Sequence, residues 1–351
     1  MPEQSRESRD DGEADAILYI GIDGGIEEQL ARGAGIDFRS IQSGQLRGMV
    51  PWTATASLLK MVKGSRQARQ QIADFKPDVV FVTGGFVTGP VVWAAWRAGI
   101  PVLIYLPDIE PGLAIRRLSR FALSVAVTFP EVAEHFPGKA VVTGYPVRPE
   151  ILKVARDRMA ARHRMGLAGE KPVALVFGGS RGARSINQAL AAVLDDLLDR
   201  YQVVHITGTL DWQAMQDRIG KLTEAKRQRY HSFPYLHDDM GYALASADLV
   251  VARAGASTLG EFPAFGLPSI LVPYPYSGQH QDVNADYLVD RGAALKLPDA
   301  RLEADLLATV VGLLENPEKI RLMGKAAASL AQPDAAGKIA QEIRSLAVGG
   351  Q

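Results

Sequence analysis

The sequence predicts an α/β protein of two doubly wound domains with a cleft between them. Three observations lead there. Short apolar runs rich in Val and Ile alternate with helix-like stretches. The alternation comes in two successive series, split by a charged, Gly-containing break. Several strand-to-helix joins are glycine-rich, as they are where such sheets bind ligands.

In the first series, residues 17–22, 79–83, 102–105, 124–128 and 140–143 read as buried parallel strands. Residues 52–73 and 89–97 read as helices between them. Within 149–169 a charged helical segment, 153–164, precedes a Gly-containing break, which places the interdomain connection at 151–170. The second series has strands at 173–177, 203–207, 230–233, 249–251 and 269–272. Helices at 185–200, 211–219, 240–245 and 258–265 alternate with them, and 317–330 and 334–346 form a helical tail. The expected layout is a polar acidic segment 1–15, an N-terminal domain 16–150, a C-terminal domain 171–331 and a C-terminal helix 332–351.

A length of 351 residues suits two domains. Lys plus Arg is 39 and Asp plus Glu is 39, so the formal charge is zero, which argues against a nucleic-acid partner. Residues 16–165 nevertheless carry 19 basic against 12 acidic residues, so a basic half joins a mildly acidic one. There is no cysteine, which removes disulfides, thiolate nucleophiles and zinc–cysteine sites and makes a reducing cytoplasm the default. No run of about 18 apolar residues predicts a spanning helix. The start lacks the apolar core of a signal peptide.

The sharpest local signal is Gly178-Gly179-Ser180-Arg181-Gly182-Ala183-Arg184-Ser185-Ile186-Asn187, between a strand and a helix. Glycines there let the backbone turn tightly and approach an anion, and the first N–H groups of the helix point at it. A diphosphate is the natural ligand. A second such join is Ala252-Arg253-Ala254-Gly255-Ala256-Ser257-Thr258. Ser257 and Glu261 lie four apart on one helical face. A hydroxyl at the helix start suits a phosphate, and a carboxylate one turn later suits a ribose diol. The loop after strand 269–272 brings His280, Gln281 and Asn284, which can face a sugar or base. In the first half, Gly84 and Gly85 follow strand 79–83, with Thr83 or Thr88 as anion ligands. No metal-binding motif and no cofactor are expected.

The segments 178–187, 252–261, 266–275 and 280–285, in that order and spacing, resemble the MurG family, the UDP-GlcNAc-dependent glycosyltransferases of peptidoglycan synthesis. The first half agrees through Leu46-Arg47-Gly48, Gly84-Gly85-Phe86, Glu110-Pro111-Gly112-Leu113 and Thr143-Gly144-Tyr145-Pro146-Val147-Arg148. The likeness covers roughly residues 16–345. It implies the GT-B fold, two Rossmann-like domains with the donor held mainly by the second. It implies transfer of GlcNAc from UDP-GlcNAc to the muramyl 4-hydroxyl of lipid I, with inversion, giving lipid II at the cytoplasmic face of the membrane. By the same likeness Gly179, Ser180 and Arg181 meet the diphosphate and Arg148 lies near the donor. Ser257 and Thr258 sit by phosphate or sugar, and Glu261 holds the ribose. His280 and Gln281 contact GlcNAc or neighbouring groups, and His237 falls in the uracil segment.

Three departures stand out. The family begins with a strand, a Gly-rich loop carrying a histidine thought catalytic, and a helix, and no such unit precedes residue 16. Either Met1 is an internal start, the favoured reading, or the chain is naturally shorter. The catalytic residue is therefore left unassigned. Tyr105 to Asp108 stand where His-Glu-Gln-Asn is usual on the acceptor side, with Gly84 and Gly85, and Arg181 stands for Gln. The alternatives are a UDP-sugar transferase acting on another lipid, and a UDP-GlcNAc-binding protein without turnover.

Trp52, Leu58, Leu59, Met61 and Val62 lie beside Lys60, Lys63, Arg66 and Arg69. A basic helix with an apolar side suits an anionic membrane surface, which makes the expected location peripheral.

Overall fold

The computed structural model describes residues 15–42, 51–154, 157–179, 182–276 and 279–349, with backbone only for 51–61. The expected features at 1–14, 46–48 and 180–181 lie outside the described residues, as do the side chains of Trp52, Leu58, Leu59, Lys60 and Met61. The chain forms two compact units, 1–102 and 103–349. The connection expected at 151–170 lies inside the second unit.

In the first unit, β1 (Leu18–Gly21) and β2 (Asp37–Ser40) pair in parallel around α1 (Ile26–Gly33). Neither α1 nor β2 is anticipated by the apolar pattern. β2 carries only Phe38 inward between exposed Asp37 and Arg39, too short an alternation to stand out. The helix expected at 52–73 is α2 (Pro51–Phe75). It stops where Lys76 takes φ +53 and Pro77 follows. α2 crosses the chain after β2 so closely that a Cβ on Gly64 would lie 1.9 Å from the Gln42 carbonyl oxygen. Its buried Ala68 and Ile72 lie on the side that packs on α3 (Thr88–Arg97). Val62, Lys63, Arg66 and Arg69 are exposed. Between the helices, β3 (Val80–Val82) begins where the Val80 N–H donates to the Pro101 carbonyl at 2.9 Å.

The second unit holds two parallel sheets. β4 (Val102–Leu106), β5 (Ser124–Val127) and β6 (Ala140–Val142) pair in that order. β4 and β5 are buried along their whole length, which is why they read as continuous apolar runs. α4 (Leu113–Leu118) follows β4. α5 (Pro149–Val154) and α6 (Arg158–Arg164) then pack on α10 (Met240–Ser246). The second sheet has the order β12-β11-β10-β7-β8-β9. Its strands are β7 (Val173–Phe177), β8 (Gln202–Ile206), β9 (Tyr230–Phe233), β10 (Leu249–Ala252), β11 (Ser269–Leu271) and β12 (Ala294–Lys296). Numbered within the sheet this is 6-5-4-1-2-3, the doubly wound order.

α7 (Arg184–Arg200) covers that sheet with Ile186, Leu190, Leu194 and Leu197, all essentially inaccessible. Their helical spacing sets the core, and each such side chain contributes about 1.5–3 kcal/mol by leaving water. α13 (Leu302–Leu314) packs beside it through Leu306, Val310 and Leu313. α14 (Pro317–Ser329) follows. α15 (Ala335–Gly349) turns back onto the other sheet, where Ile339 packs on Leu103, Tyr105 and Ala126. β12, α13 and the helical state of 280–290 are not read from the sequence. Among the described residues no helix is long and apolar enough to cross a membrane.

Candidate active site

The chain leaves β7 towards β8 and leaves β10 towards β11, in opposite directions from adjacent strands. Two connections that diverge open a crevice at the carboxyl ends, the place where such sheets bind ligands. Both glycine-rich joins lie there. After β7, a Cβ on Gly178 would meet Ala183 N at 2.3 Å, and one on Gly182 would meet the Thr207 carbonyl at 2.4 Å. Gly179 has φ +93 and open space around it. Steric crowding thus selects two glycines and backbone conformation the third. Ser180 and Arg181, in the same loop, are outside the described residues.

After β10 comes α11 (Thr258–Phe265), closed by Gly266 at φ +59. Ser257 stands at its N-cap position without a side-chain cap bond. Thr258 is buried, and its hydroxyl donates to the Gly255 carbonyl at 2.7 Å, so it shapes the turn. Glu261, one turn on, has no hydrogen-bond partner for its carboxylate among the described residues. Burial pushes its carboxyl up to about 7, against the pull of the Arg148 cation. Arg148 itself is exposed.

Tyr145 was not singled out from the sequence, and it lies beside Glu261. It follows β6 and lies on α11, where a Cβ on Gly260 would stand 2.4 Å from its Cδ1. Burial first, then the Glu261 and Asp108 carboxylates, push its phenol up to about 12. The only sequence signal for it was its place beside Arg148.

The pair expected on the acceptor side, Tyr105 and Asp108, divides. Tyr105 is buried beneath α15, and its hydroxyl donates to the Gly144 carbonyl at 3.3 Å. Burial raises its phenol further than that of Tyr145. It is a core residue because strand alternation turns it to the α15 side of the sheet. Asp108, beyond the end of β4, faces α12 (His280–Asp290) instead. There Asn284 Nδ2 donates to Asp108 Oδ1 at 2.9 Å and to the Ala254 carbonyl at 3.2 Å. The Ile109 N–H donates to Asn284 Oδ1 at 3.1 Å. Asn284 is fully buried. The expectation that it faces a sugar is corrected: its amide group is spent joining the two sheet edges.

His280, on the same face of α12, donates from Nδ1 to the Glu110 carbonyl at 3.2 Å, with its ring against Gly112. Gln281 Oε1 accepts from the Tyr274 N–H at 2.9 Å, which fixes the loop after β11. Farther along α12, Tyr287 stacks on Phe129 at 4.3 Å and Arg291 pairs with Glu131. His237, after β9, is exposed, with its ring 4.4 Å from that of Tyr235. Gly84 and Gly85 belong to the first unit, at φ +113 and +87, and Thr88 Oγ1 donates to the Gly84 carbonyl.

Cations near the loops are partly committed. Arg253 is almost buried and binds Asp299, the Ser185 hydroxyl at 2.8 Å and the Val272 and Pro273 carbonyls at 3.2 Å. Arg184 pairs with Asp211 at 3.3 Å. Behind them, buried His205 donates to Asn187 Oδ1 at 2.9 Å and accepts from the Tyr230 hydroxyl at 2.7 Å. Asn187 Nδ2 in turn reaches Asp211 at 2.8 Å. Desolvation holds the His205 imidazole down, at about 3, so it is neutral.

Comparison with known proteins agrees with this geometry. Residues 10–127 match the glycosyltransferase family 28 N-terminal domain and residues 173–339 match its C-terminal domain. A UDP-N-acetylglucosamine–N-acetylmuramyl-(pentapeptide) pyrophosphoryl-undecaprenol N-acetylglucosamine transferase of Roseiflexus sp. (strain RS-1) is 40% identical over 95% of this chain and 84% of its own length. A protein of the same description from Desulfitobacterium hafniense (strain DSM 10664 / DCB-2) is 43% identical over 92% of this chain and 89% of its own. The crystal structure of Acinetobacter baumannii MurG superposes with a TM-score of 0.74 at 28% identity, over 93% of this chain and 90% of that one. A UDP-GlcNAc 2-epimerase from Neisseria meningitidis, at 16% identity and TM-score 0.64 over 91% and 88%, shares the fold. Two Rossmann-like domains with parallel sheets and these matches give the GT-B fold, and the chain belongs to glycosyltransferase family 28 and to its MurG branch.

Proposed function

We propose that this chain is an inverting glycosyltransferase that moves GlcNAc from UDP-GlcNAc to the muramyl 4-hydroxyl of lipid I, making lipid II for peptidoglycan synthesis. The observation that carries the reading is the pair of glycine loops opening α7 and α11 on either side of the sheet's switch point, with Glu261 on the first turn of α11. Relatives that bear this activity in their descriptions, at 37–43% identity, support it.

In this reading Gly179, Ser180 and Arg181 meet the diphosphate, with Ser257 and the α11 turn shaped by Thr258. Glu261 holds the ribose diol, with Arg148 beside it, and His237 lies towards the base. His280 and Gln281 hold the loop and helix that border the sugar. Gly84, Gly85 and Asp108 belong to the acceptor side, with Tyr105 supporting them from the core. Negative charge grows on UDP as it leaves, and two helix N-termini stabilise that charge in place. The domain layout 16–150 for acceptor and 171–331 for donor goes with it. The exposed Val62, Lys63, Arg66 and Arg69 of α2 support peripheral contact with an anionic membrane.

Labelled UDP-GlcNAc with lipid I tests the activity, and transfer to lipid I is the expected result. Transfer to a diacylglycerol instead would assign another lipid acceptor. Calorimetric binding of UDP-GlcNAc with no transfer to either would make the chain a binding protein.

A further inference from the structure

Asp108 is held from both sides along the chain and by a buried amide. The backbone before it is fixed by Thr128, fully buried, whose hydroxyl donates to the Leu106 and Pro107 carbonyls at 3.2 and 2.9 Å. The backbone after it is fixed by the Ile109 N–H on Asn284 Oδ1. One carboxylate oxygen accepts from Asn284 Nδ2 at 2.9 Å, and Oδ2 has no partner among the described residues. Asn284 is itself anchored, since the same amide also donates to the Ala254 carbonyl in the loop that opens α11. A carboxylate with one oxygen pinned, the other open, and its orienting group buried is how a positioned base is built. Its location matches the task, because Ala254 lies in the loop that opens α11 and Asp108 lies just beyond the carboxyl end of β4.

We propose that Asp108 is the general base that takes the proton from the attacking hydroxyl of the acceptor. The inference rests on the transferase reading above. As the acceptor oxygen forms its bond to the anomeric carbon of GlcNAc, its proton passes to Asp108 Oδ2. The bond from that carbon to the β-phosphate oxygen breaks, and its electron pair leaves with UDP. Asp108 ends as a neutral acid and returns the proton to water after the products depart. Asn284 is the positioning residue.

The test separates a base from a clasp. Asp108→Asn keeps a carbonyl oxygen that can accept from Asn284, so the contact between the sheet edges survives. Asp108→Glu keeps a carboxylate but displaces it by one methylene. Transfer from UDP-GlcNAc to lipid I is measured for wild type and both variants, with UDP-GlcNAc affinity by calorimetry. A base predicts that Asp108→Asn loses about 10²–10⁴-fold in kcat with donor affinity within about twofold of wild type. It also predicts that Asp108→Glu retains more transfer than Asp108→Asn. Equal transfer by wild type and Asp108→Asn, or more by Asp108→Asn than by Asp108→Glu, overturns the assignment. A wild-type chain that binds donor and transfers nothing overturns the transferase reading instead.

Discussion

Tyr145 rests on α11 at Gly260, in a notch that no larger residue leaves open. A Cβ there would stand 2.4–2.7 Å from the Tyr145 Cδ1, Cβ and Cγ atoms. Gly260→Ala therefore drives the ring away from α11 at a cost of about 1–3 kcal/mol. Denaturant unfolding of Gly260→Ala, Tyr145→Ala and the double variant measures it. The two single losses are expected not to add, because removing the ring removes the clash. Strict additivity would show that the two residues do not meet in solution.

The position of Tyr145 bears on Glu261. Burial favours the neutral acid there, with a value near 7 against an ordinary 4.5. The ligand-free chain thus loses stability from this group as pH rises from about 4.5 through 7. The ionised form is the better acceptor for a ribose diol, so the affinity for UDP-GlcNAc, whose esterified phosphates do not titrate in this range, should rise roughly tenfold from pH 6 to pH 8. Glu261→Gln should bind more weakly and show a flat profile. Calorimetric titration of UDP-GlcNAc across that range checks both, and a flat wild-type profile would count against the carboxylate's role.

His205 gives the opposite sign. It is neutral in the fold, and unfolding frees it to take a proton below about pH 6.5. Its contribution is complete above that pH and drains away on acidification towards 3, by at most about 1.4 kcal/mol per pH unit. His205→Leu strands the Tyr230 hydroxyl and Asn187 Oδ1, which costs about 1–3 kcal/mol at pH 7. Melting of both proteins from pH 7 to 4.5 should show the gap between them narrowing. A gap that stays constant would place the acid sensitivity elsewhere.

Much of the site was legible in the residues themselves. Gly178, Gly179 and Gly182, and the Ser257 to Glu261 turn, are local chemistry: a strand, a tight turn and a helix start lie within one continuous segment. The doubly wound pattern was legible for the same reason, since β7, β8 and β10 are continuous apolar runs. β2, β12 and α12 escaped because short strands and a helix with scattered polar positions carry weak periodicity.

The roles of Tyr105, Asp108, Tyr145 and Asn284 come from partners far along the chain. Asp108 and Asn284 are 176 residues apart, and Tyr145 and Gly260 are likewise distant in sequence. The sequence by itself determined the fold class, the family and the glycine-rich turns after β7 and β10, because backbone geometry and helix ends are properties of neighbouring residues. Only the tertiary structure decided which carboxylate is desolvated with no hydrogen-bond partner among the described residues, which is oriented by an amide, and which polar side chains are consumed in joining the sheet edges. Those depend on desolvation and on hydrogen bonds between distant segments, and neither is written in local spacing.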